Sequence, residues 1–238
     1  MPAIPRADFE ATITKVIRRL KNDPNDRLRS WDHCHKHFDH VRRQDSPDLD
    51  LATLNLGFYL ASWGMYRGSS DLLQKDYRVL TSVARILLSE RFQVIWEMDF
   101  SEADKDKANT DIILKAKDAI TTALHQAASV VNEERRTIEV TGTLASKVLL
   151  IPGCVVAFDI AVQTALHTFK IGPSFVERNV CKVITLLRDN RELLNTGCGK
   201  LIEQVRADYP PMKILDLYLW YKGLEILDEQ KRKKRKEH

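Results

Sequence analysis

Hydrophobic residues recur every three or four positions along nearly the whole chain, which is the spacing of an α-helix. The first such stripe comprises Phe9, Ile13, Val16, Ile17 and Leu20. Similar stripes, separated by turn-forming residues, predict helices over residues 9–20, 26–43, 51–63, 72–88, 103–132, 174–189, 190–207 and 211–227. A short apolar segment, residues 92–98, is compatible with either a helix or a strand. The pattern as a whole predicts an all-α fold.

The distribution of charge divides the chain into a long body and a short tail. The sequence has 238 residues, of which 44% are hydrophobic and 29% charged, as in ordinary globular proteins. Residues 231–238 carry six positive charges and one negative charge, and without them the formal net charge falls from +4 to −1. We therefore expect a single compact helical domain over residues 1–229, with two helical lobes around a cleft as the alternative arrangement. Residues 230–238 are expected to form a disordered basic tail, which either aids solubility or tethers nucleic acid.

Several classes of protein are disfavoured by motifs that the sequence lacks. The four cysteines, Cys34, Cys154, Cys181 and Cys198, form no Cys-x-x-Cys pair, so neither a zinc knuckle nor a disulfide framework is predicted. The chain has no apolar leader and no segment near the ~20 apolar residues of a membrane span. It also has no P-loop, Rossmann glycine pattern or GxSxG elbow. We expect a cytoplasmic protein with no cofactor and no membrane partner.

An isolated carboxylate interrupts the most apolar stretch of the chain, residues 141–166. A short helical face ends at Pro152 and Gly153, and helical spacing resumes at Phe158 and Val162. Asp159 is therefore predicted near the first turn of a helix, where free N–H groups and the helix dipole keep a carboxylate ionised. Two interpretations remain open. Asp159 either caps the helix or provides a fixed negative charge to a reacting centre.

A second cluster, residues 61–73 (ASWGMYRGSSDLL), combines flat apolar side chains with groups that bind phosphate. Aromatic and sulfur-containing side chains could hold an extruded base, whereas an arginine and the backbone N–H groups of a helix start could hold its phosphates. The alternative is a turn between helices that buries one tryptophan. The residues predicted to bind are Trp63, Met65, Tyr66, Arg67, Ser69 and Ser70.

A third cluster is rich in histidine. His33, His37 and His40 fall on roughly one helical face, which is compatible with a metal site. The segment lacks the spacing of a defined metal motif, so ordinary surface or partly buried histidines are favoured and no metal is predicted. In the same segment, Arg29 and His35 loosely match the arginine-to-histidine spacing of the all-helical HEPN ribonucleases.

The segment around Asp159 resembles the helix-hairpin-helix DNA glycosylase superfamily, in which an aspartate after an apolar run begins a helix. Residues 213–223, KILDLYLWYKG, also look like a C-terminal helix of 8-oxoguanine-glycosylase-like bacterial proteins. The resemblance covers mainly residues 141–224. It departs from the family pattern in that Gly142 is only a partial counterpart of the hairpin's glycine loop and no iron–sulfur cysteine cluster is present. Lys147 is the nearest counterpart of the lysine that bifunctional members use for strand cleavage.

The resemblance implies a DNA glycosylase whose substrate is double-stranded DNA with a damaged or modified base. Asp159 would be the catalytic carboxylate, because a fixed negative charge stabilises the oxocarbenium-like sugar formed when the base departs. Lys147 and Trp220 join the predicted binding residues, and a monofunctional enzyme is expected. Its role would be repair or defence against modified phage DNA. The alternatives are a HEPN-like ribonuclease using Arg29 and His35, and a non-catalytic helical module that binds nucleic acid or protein.

Overall fold

The apolar stripes of the sequence form α-helices, in nearly the predicted order and places. The structure is a computed structural model that describes residues 3–66, 72, 75–127 and 142–236. Within these ranges no residue belongs to a β-strand, so the all-α prediction is confirmed. The helices are α1 (Arg6–Asn22), α2 (Leu28–Val41), α3 (Leu49–Ser62), α4 (Thr81–Leu88), α5 (Asp106–Ala127), α6 (Gly142–Leu150), α7 (Ile160–Thr168), α8 (Glu177–Asp189), α9 (Arg191–Val205) and α10 (Pro211–Lys236).

The largest differences from the predicted boundaries lie around α4. A 3₁₀ turn, Tyr77–Leu80, precedes this helix, and a 3₁₀ helix, Glu90–Trp96, follows it where the sequence allowed helix or strand. Ser89 is extended and ends α4, and the indole N–H of Trp96 donates to the Leu87 carbonyl at 2.9 Å. Satisfying this terminal carbonyl favours a tight turn over a strand.

The basic segment at the end of the chain differs from the predicted disordered tail, since α10 continues through it to Lys236. Lysine and arginine are good helix formers, and they extend a helix whose earlier turns are held in the core. Residues 228–235 are all exposed to solvent, and Lys231 lies 4.0 Å from Asp228 one turn earlier. The positive charges are therefore carried on an exposed helical end. Residues 237 and 238 lie outside the described residues.

The helices share one hydrophobic core, which includes residues from Ile4 to Trp220. The feature most relevant to the candidate site is the crossing of α7 and α10. A β-carbon added at Gly223 would overlap the backbone carbonyl of Ala161, so only glycine permits this approach. The crossing brings the start of α7, which follows Asp159, against the half of α10 that carries Lys213 and Asp216.

Candidate functional site

The segment between α6 and α7 is a buried, extended connection that ends at Asp159. Gly153 turns the chain with a φ of +78°, a conformation that favours glycine. The backbone N–H of Ala157 donates to Asp216 Oδ1 at 2.9 Å, and that of Phe158 donates to Ser146 Oγ at 2.8 Å. These bonds supply the partners that buried backbone groups need outside regular structure. The position of Asp159 is consequently determined by both α6 and α10.

Side chains of α2 hold the C-terminal end of α6. The indole N–H of Trp31 donates to the Leu150 carbonyl at 3.0 Å, and His35 Nδ1 donates to the Ile151 carbonyl at 2.6 Å. The two rings stack with their centroids 4.6 Å apart. Because Lys147 lies on the last turns of α6, these contacts also fix the backbone from which its side chain extends.

Asp159 caps a helix, which is the first of the two roles that the sequence left open, and it also forms an ion pair. Its Oδ1 accepts a hydrogen bond from the Val162 N–H at 3.1 Å, which makes it the N-cap of α7. Its Oδ2 accepts one from Lys147 Nζ at 3.0 Å. The Lys147 side chain is only 5% exposed and that of Asp159 is 18% exposed, so most of this ion pair is removed from water.

A second lysine–aspartate pair lies beside the first. Lys213 Nζ donates to Asp216 Oδ2 at 2.8 Å, and the two side chains are 1% and 5% exposed. Burial lowers the pKa of Lys213, and the neighbouring carboxylate of Asp216 opposes that effect. Asp216 also accepts from the Ala157 N–H, so it joins α10 to the segment that carries Asp159.

Trp63 connects the two pairs. It ends α3, and its ring centroid lies 5.1 Å from Lys147 Nζ, 5.2 Å from Lys213 Nζ and 5.1 Å from the guanidinium carbon of Arg27. Trp220 packs against it at 5.6 Å with the ring planes at 81°. Each cation is within the range at which an aromatic ring attracts it. The indole therefore offsets part of the repulsion among three positive charges.

These side chains surround a small cavity of about 10 Å³. The cavity brings together Asp159, Lys147, Trp63 and Trp220, four of the predicted site residues that are far apart in the sequence. Its lining also includes residues that were not predicted. Among the described residues, the lining consists of Tyr59, Trp63, Lys147, Leu150, Ala157, Asp159, Lys213, Asp216 and Trp220.

Two of the remaining predicted binding residues, Met65 and Tyr66, are described by the structure and do not line this cavity. Met65 and Tyr66 follow Trp63 in a turn and are half-buried. The Tyr66 hydroxyl is buried and has no hydrogen-bond partner among the described residues. Arg67, Ser69 and Ser70 lie outside the described residues, so their predicted contacts with phosphate stay predictions.

Lys213, Asp216 and Arg27 were missed as candidates. Lys213 and Asp216 are three residues apart on a helical face that is otherwise apolar, and two opposite charges in that setting indicate a buried pair. That signal was available in the sequence. Arg27 stands just before α2, and nothing in its local sequence indicates that it approaches Trp63 and Trp220.

The histidine cluster has no metal geometry in the part of the chain that the structure describes, where no group of His, Cys, Asp and Glu could hold a metal ion. His40 Nε2 is hydrogen-bonded to Gln44 at 2.9 Å. Asp39 is paired with both Arg42 and Arg43 at 2.9 Å. These side chains therefore stabilise the end of α2.

The two residues of the ribonuclease alternative have structural contacts. Arg29 donates to the Val205 carbonyl at 2.9 Å, and His35 donates to the Ile151 carbonyl. Burial lowers the pKa of His35, which favours the neutral ring that stacks on Trp31. Neither contact joins the two side chains into a common site.

A larger cavity of about 200 Å³ lies elsewhere, between the 3₁₀ helix Glu90–Trp96 and the start of α10. Its walls include Trp96, Phe100 and Met212, with Asp99 and Arg191 as the charged lining residues. It shares no lining residue with the cavity at Asp159. The volume of a cavity therefore does not show which cavity contains the two buried lysine–aspartate pairs.

The described helices include none that is long and apolar enough to cross a membrane. No family model, curated protein or solved structure matches the chain. Any functional assignment therefore depends on the chemistry of the residues around Asp159, which combine a fixed carboxylate, two buried ammonium groups and two tryptophan rings.

Proposed function

We propose that the protein is a DNA N-glycosylase that hydrolyses the bond between a damaged or modified base and its sugar. The observation that carries this proposal is the environment of Asp159. Its carboxylate is held by the Val162 N–H and by Lys147, and it lines the same cavity as Trp63 and Trp220. A fixed carboxylate beside aromatic rings suits a reaction in which a planar base leaves a sugar that becomes cationic.

Charge explains how the site would lower the barrier. The electrons of the bond between C1′ and the base nitrogen depart with the base, and the sugar approaches an oxocarbenium cation. Asp159 would stabilise that cation and orient a water molecule, whose oxygen attacks C1′ while its proton passes to the carboxylate or to the base. Because Val162 and Lys147 already hold the carboxylate, little reorganisation accompanies the reaction.

Helix capping alone does not account for the surroundings of Asp159. Asp48 provides a comparison, because it caps α3 by accepting from the Leu51 N–H at 2.9 Å and is exposed to solvent. One hydrogen bond from a backbone N–H to a solvent-exposed carboxylate is therefore sufficient to cap a helix. At Asp159 the chain additionally buries an ammonium group and places it against the carboxylate, although removing both charges from water is costly. That cost supports a role beyond capping.

The test is base excision from duplex oligonucleotides that carry a panel of modified bases, with alkali to cleave abasic sites. Asp159→Asn should lower excision by at least ~100-fold, because asparagine can cap α7 but carries no charge. Asp48→Asn is the matched control, since it makes the same change at a cap outside the cavity, and should retain wild-type excision. Equal activity of wild type and Asp159→Asn on a cleaved substrate, or no cleavage of any modified duplex, would reject the proposal.

Omitting alkali distinguishes hydrolysis from strand cleavage. The monofunctional enzyme proposed here should leave intact strands until alkali is added. Lys147 would then act by positioning and charge-balancing Asp159, so Lys147→Met should lower excision without changing the products. The basic end of α10, which is exposed to solvent, would contact phosphates, so DNA binding should weaken as the salt concentration rises.

A further inference from the structure

The cavity at Asp159 is too small to receive a base in its present form. Pockets that hold small molecules typically measure ~300–1,000 Å³, whereas this one measures about 10 Å³. The Trp63 ring fills the adjoining space, between the two lysine–aspartate pairs and Trp220. An incoming base would therefore need Trp63 to move.

Trp63 is also held less firmly than the other aromatic residues of the lining. Its Nε1 is buried and has no hydrogen-bond partner among the described residues, whereas the Tyr59 hydroxyl donates to the Lys147 carbonyl at 3.2 Å. Trp220 lies within the long helix α10, but Trp63 ends α3 and precedes Gly64, whose φ is +73°. Movement of the Trp63 ring would therefore break no hydrogen bond of its indole nitrogen among the described residues, and the backbone beside it turns at a glycine.

We infer that the Trp63 indole occupies the base subsite of the free protein and that an extruded base takes its place. This inference rests on the proposed function. A base in that position would inherit the contacts that the indole now makes, with cations close to the ring and an edge-to-face contact with Trp220. The vacated ring position also lies beside Asp159, as the reaction requires.

The charges around the ring define the class of base. Three cations, Arg27, Lys147 and Lys213, face the indole, and two carboxylates, Asp159 and Asp216, balance only part of their charge. The formal sum of these five charges is +1. The subsite therefore favours an uncharged, electron-rich ring, or a base that leaves as an anion, and disfavours cationic rings such as N-alkylated purines.

The subsite can be tested without DNA by titrating quinoline and its N-methylated cation into the protein by calorimetry. Trp63→Ala should bind quinoline at least about tenfold more tightly than wild type, because the ring position is then empty. The same variant should bind N-methylquinolinium at least about tenfold more weakly than quinoline. Trp63→Leu keeps an apolar side chain in the core and so protects folding. This variant should also prefer quinoline to N-methylquinolinium, with a smaller gain in quinoline affinity over wild type.

Arg27 provides the test of charge selection, since its side chain is exposed and its replacement should not impair folding. Adding Arg27→Gln to either Trp63 variant should narrow the preference for quinoline by roughly three- to tenfold. Arg78→Gln is the matched control, because Arg78 lies over a different ring, that of Tyr77, and is 68% exposed. This control should leave the preference unchanged.

The outcomes separate the subsite from the reaction. The inference would be overturned if neither Trp63 variant bound quinoline more tightly than wild type does. It would also be overturned if the variants bound N-methylquinolinium as tightly as quinoline. Tight and charge-selective binding without any base excision would uphold the aromatic subsite and reject the glycosylase. Excision that is efficient on cationic alkylated purines would support the glycosylase and overturn the charge selection.

Discussion

Removing the negative charge of Asp216 should show how strongly the two buried lysines depend on their partners. Asp216→Asn keeps an oxygen that can accept from the Ala157 N–H but leaves the Lys213 ammonium group uncompensated. Breaking a buried pair on one side costs ~3–5 kcal/mol. Deprotonating a lysine of ordinary pKa at pH 7 costs ~4.6 kcal/mol. Because the variant can fold with Lys213 deprotonated, this cost is an upper limit on the loss of stability, and the lowered pKa of the buried Lys213 reduces that limit. We expect a loss of ~3 kcal/mol in the free energy of unfolding at pH 7.

The pH dependence identifies the cause of that loss. Lys213 would be neutral in the folded variant above its lowered pKa but protonated in the unfolded chain up to about pH 10.4. The unfolded state then binds more protons, so stability rises with pH by up to ~1.4 kcal/mol per unit in this window. Urea unfolding followed by circular dichroism at pH 7, 8 and 9 should show the deficit of Asp216→Asn shrinking relative to wild type.

A double-mutant cycle completes the test. Lys213→Met with Asp216→Asn removes both charges and should lie within ~1 kcal/mol of wild type, although each single change is destabilising. The exposed pair Glu102 and Lys105 has the same three-residue spacing and should show no measurable coupling. A double variant as unstable as the worse single variant, or a pH-independent loss in Asp216→Asn, would refute the assigned role of the pair.

Two further predictions concern stability. Burial holds His35 neutral and lowers its pKa below 6.5, so the stability of the protein should fall as pH drops below 6.5. His35→Asn can still donate to the Ile151 carbonyl but does not titrate. Thermal melts between pH 7.5 and 5 should therefore show a weaker dependence of stability on pH in this variant. Gly223→Ala should lower the free energy of unfolding by ~3 kcal/mol or more, because its β-carbon would overlap the Ala161 carbonyl. Gly199→Ala is the control, since Gly199 lies in open space on α9, and this change should stabilise the protein by up to ~1 kcal/mol. Equal effects of the two changes on stability would contradict the close crossing of α7 and α10.

Local patterns were sufficient to predict the helices and the position of Asp159. The apolar spacing of residues 9–20 and 211–220 repeats every three or four positions, and the break at Pro152 and Gly153 marks where α6 ends. An aspartate followed by renewed helical spacing predicts an N-cap, which the Val162 N–H confirms. These features depend on residues that are close together in the sequence, so they can be predicted from the sequence alone.

The lining of the cavity depended on contacts that local patterns do not encode. Arg27 reaches Trp63 because α3 ends beside the start of α2, and no spacing rule specifies that packing. Lys213 carried a signal, as a charge on an apolar helical face, but its nearness to Lys147 follows from the crossing at Gly223. The continuation of α10 through the basic segment was missed because a charge run resembles a disordered end when its helical support is unknown.

The wide separation of the cavity residues along the chain has a consequence for folding kinetics. Trp63, Lys147 and Trp220 meet only after long loops have closed, and loop closure costs entropy before the resulting contacts stabilise the protein. During synthesis, α10 leaves the ribosome after α1 to α9, so the Ala157 N–H has no access to Asp216 until α10 has emerged. A nascent chain that still lacks α10 therefore cannot assemble the carboxylate, the ammonium groups and the tryptophans into one site, and any activity of that site would require α10.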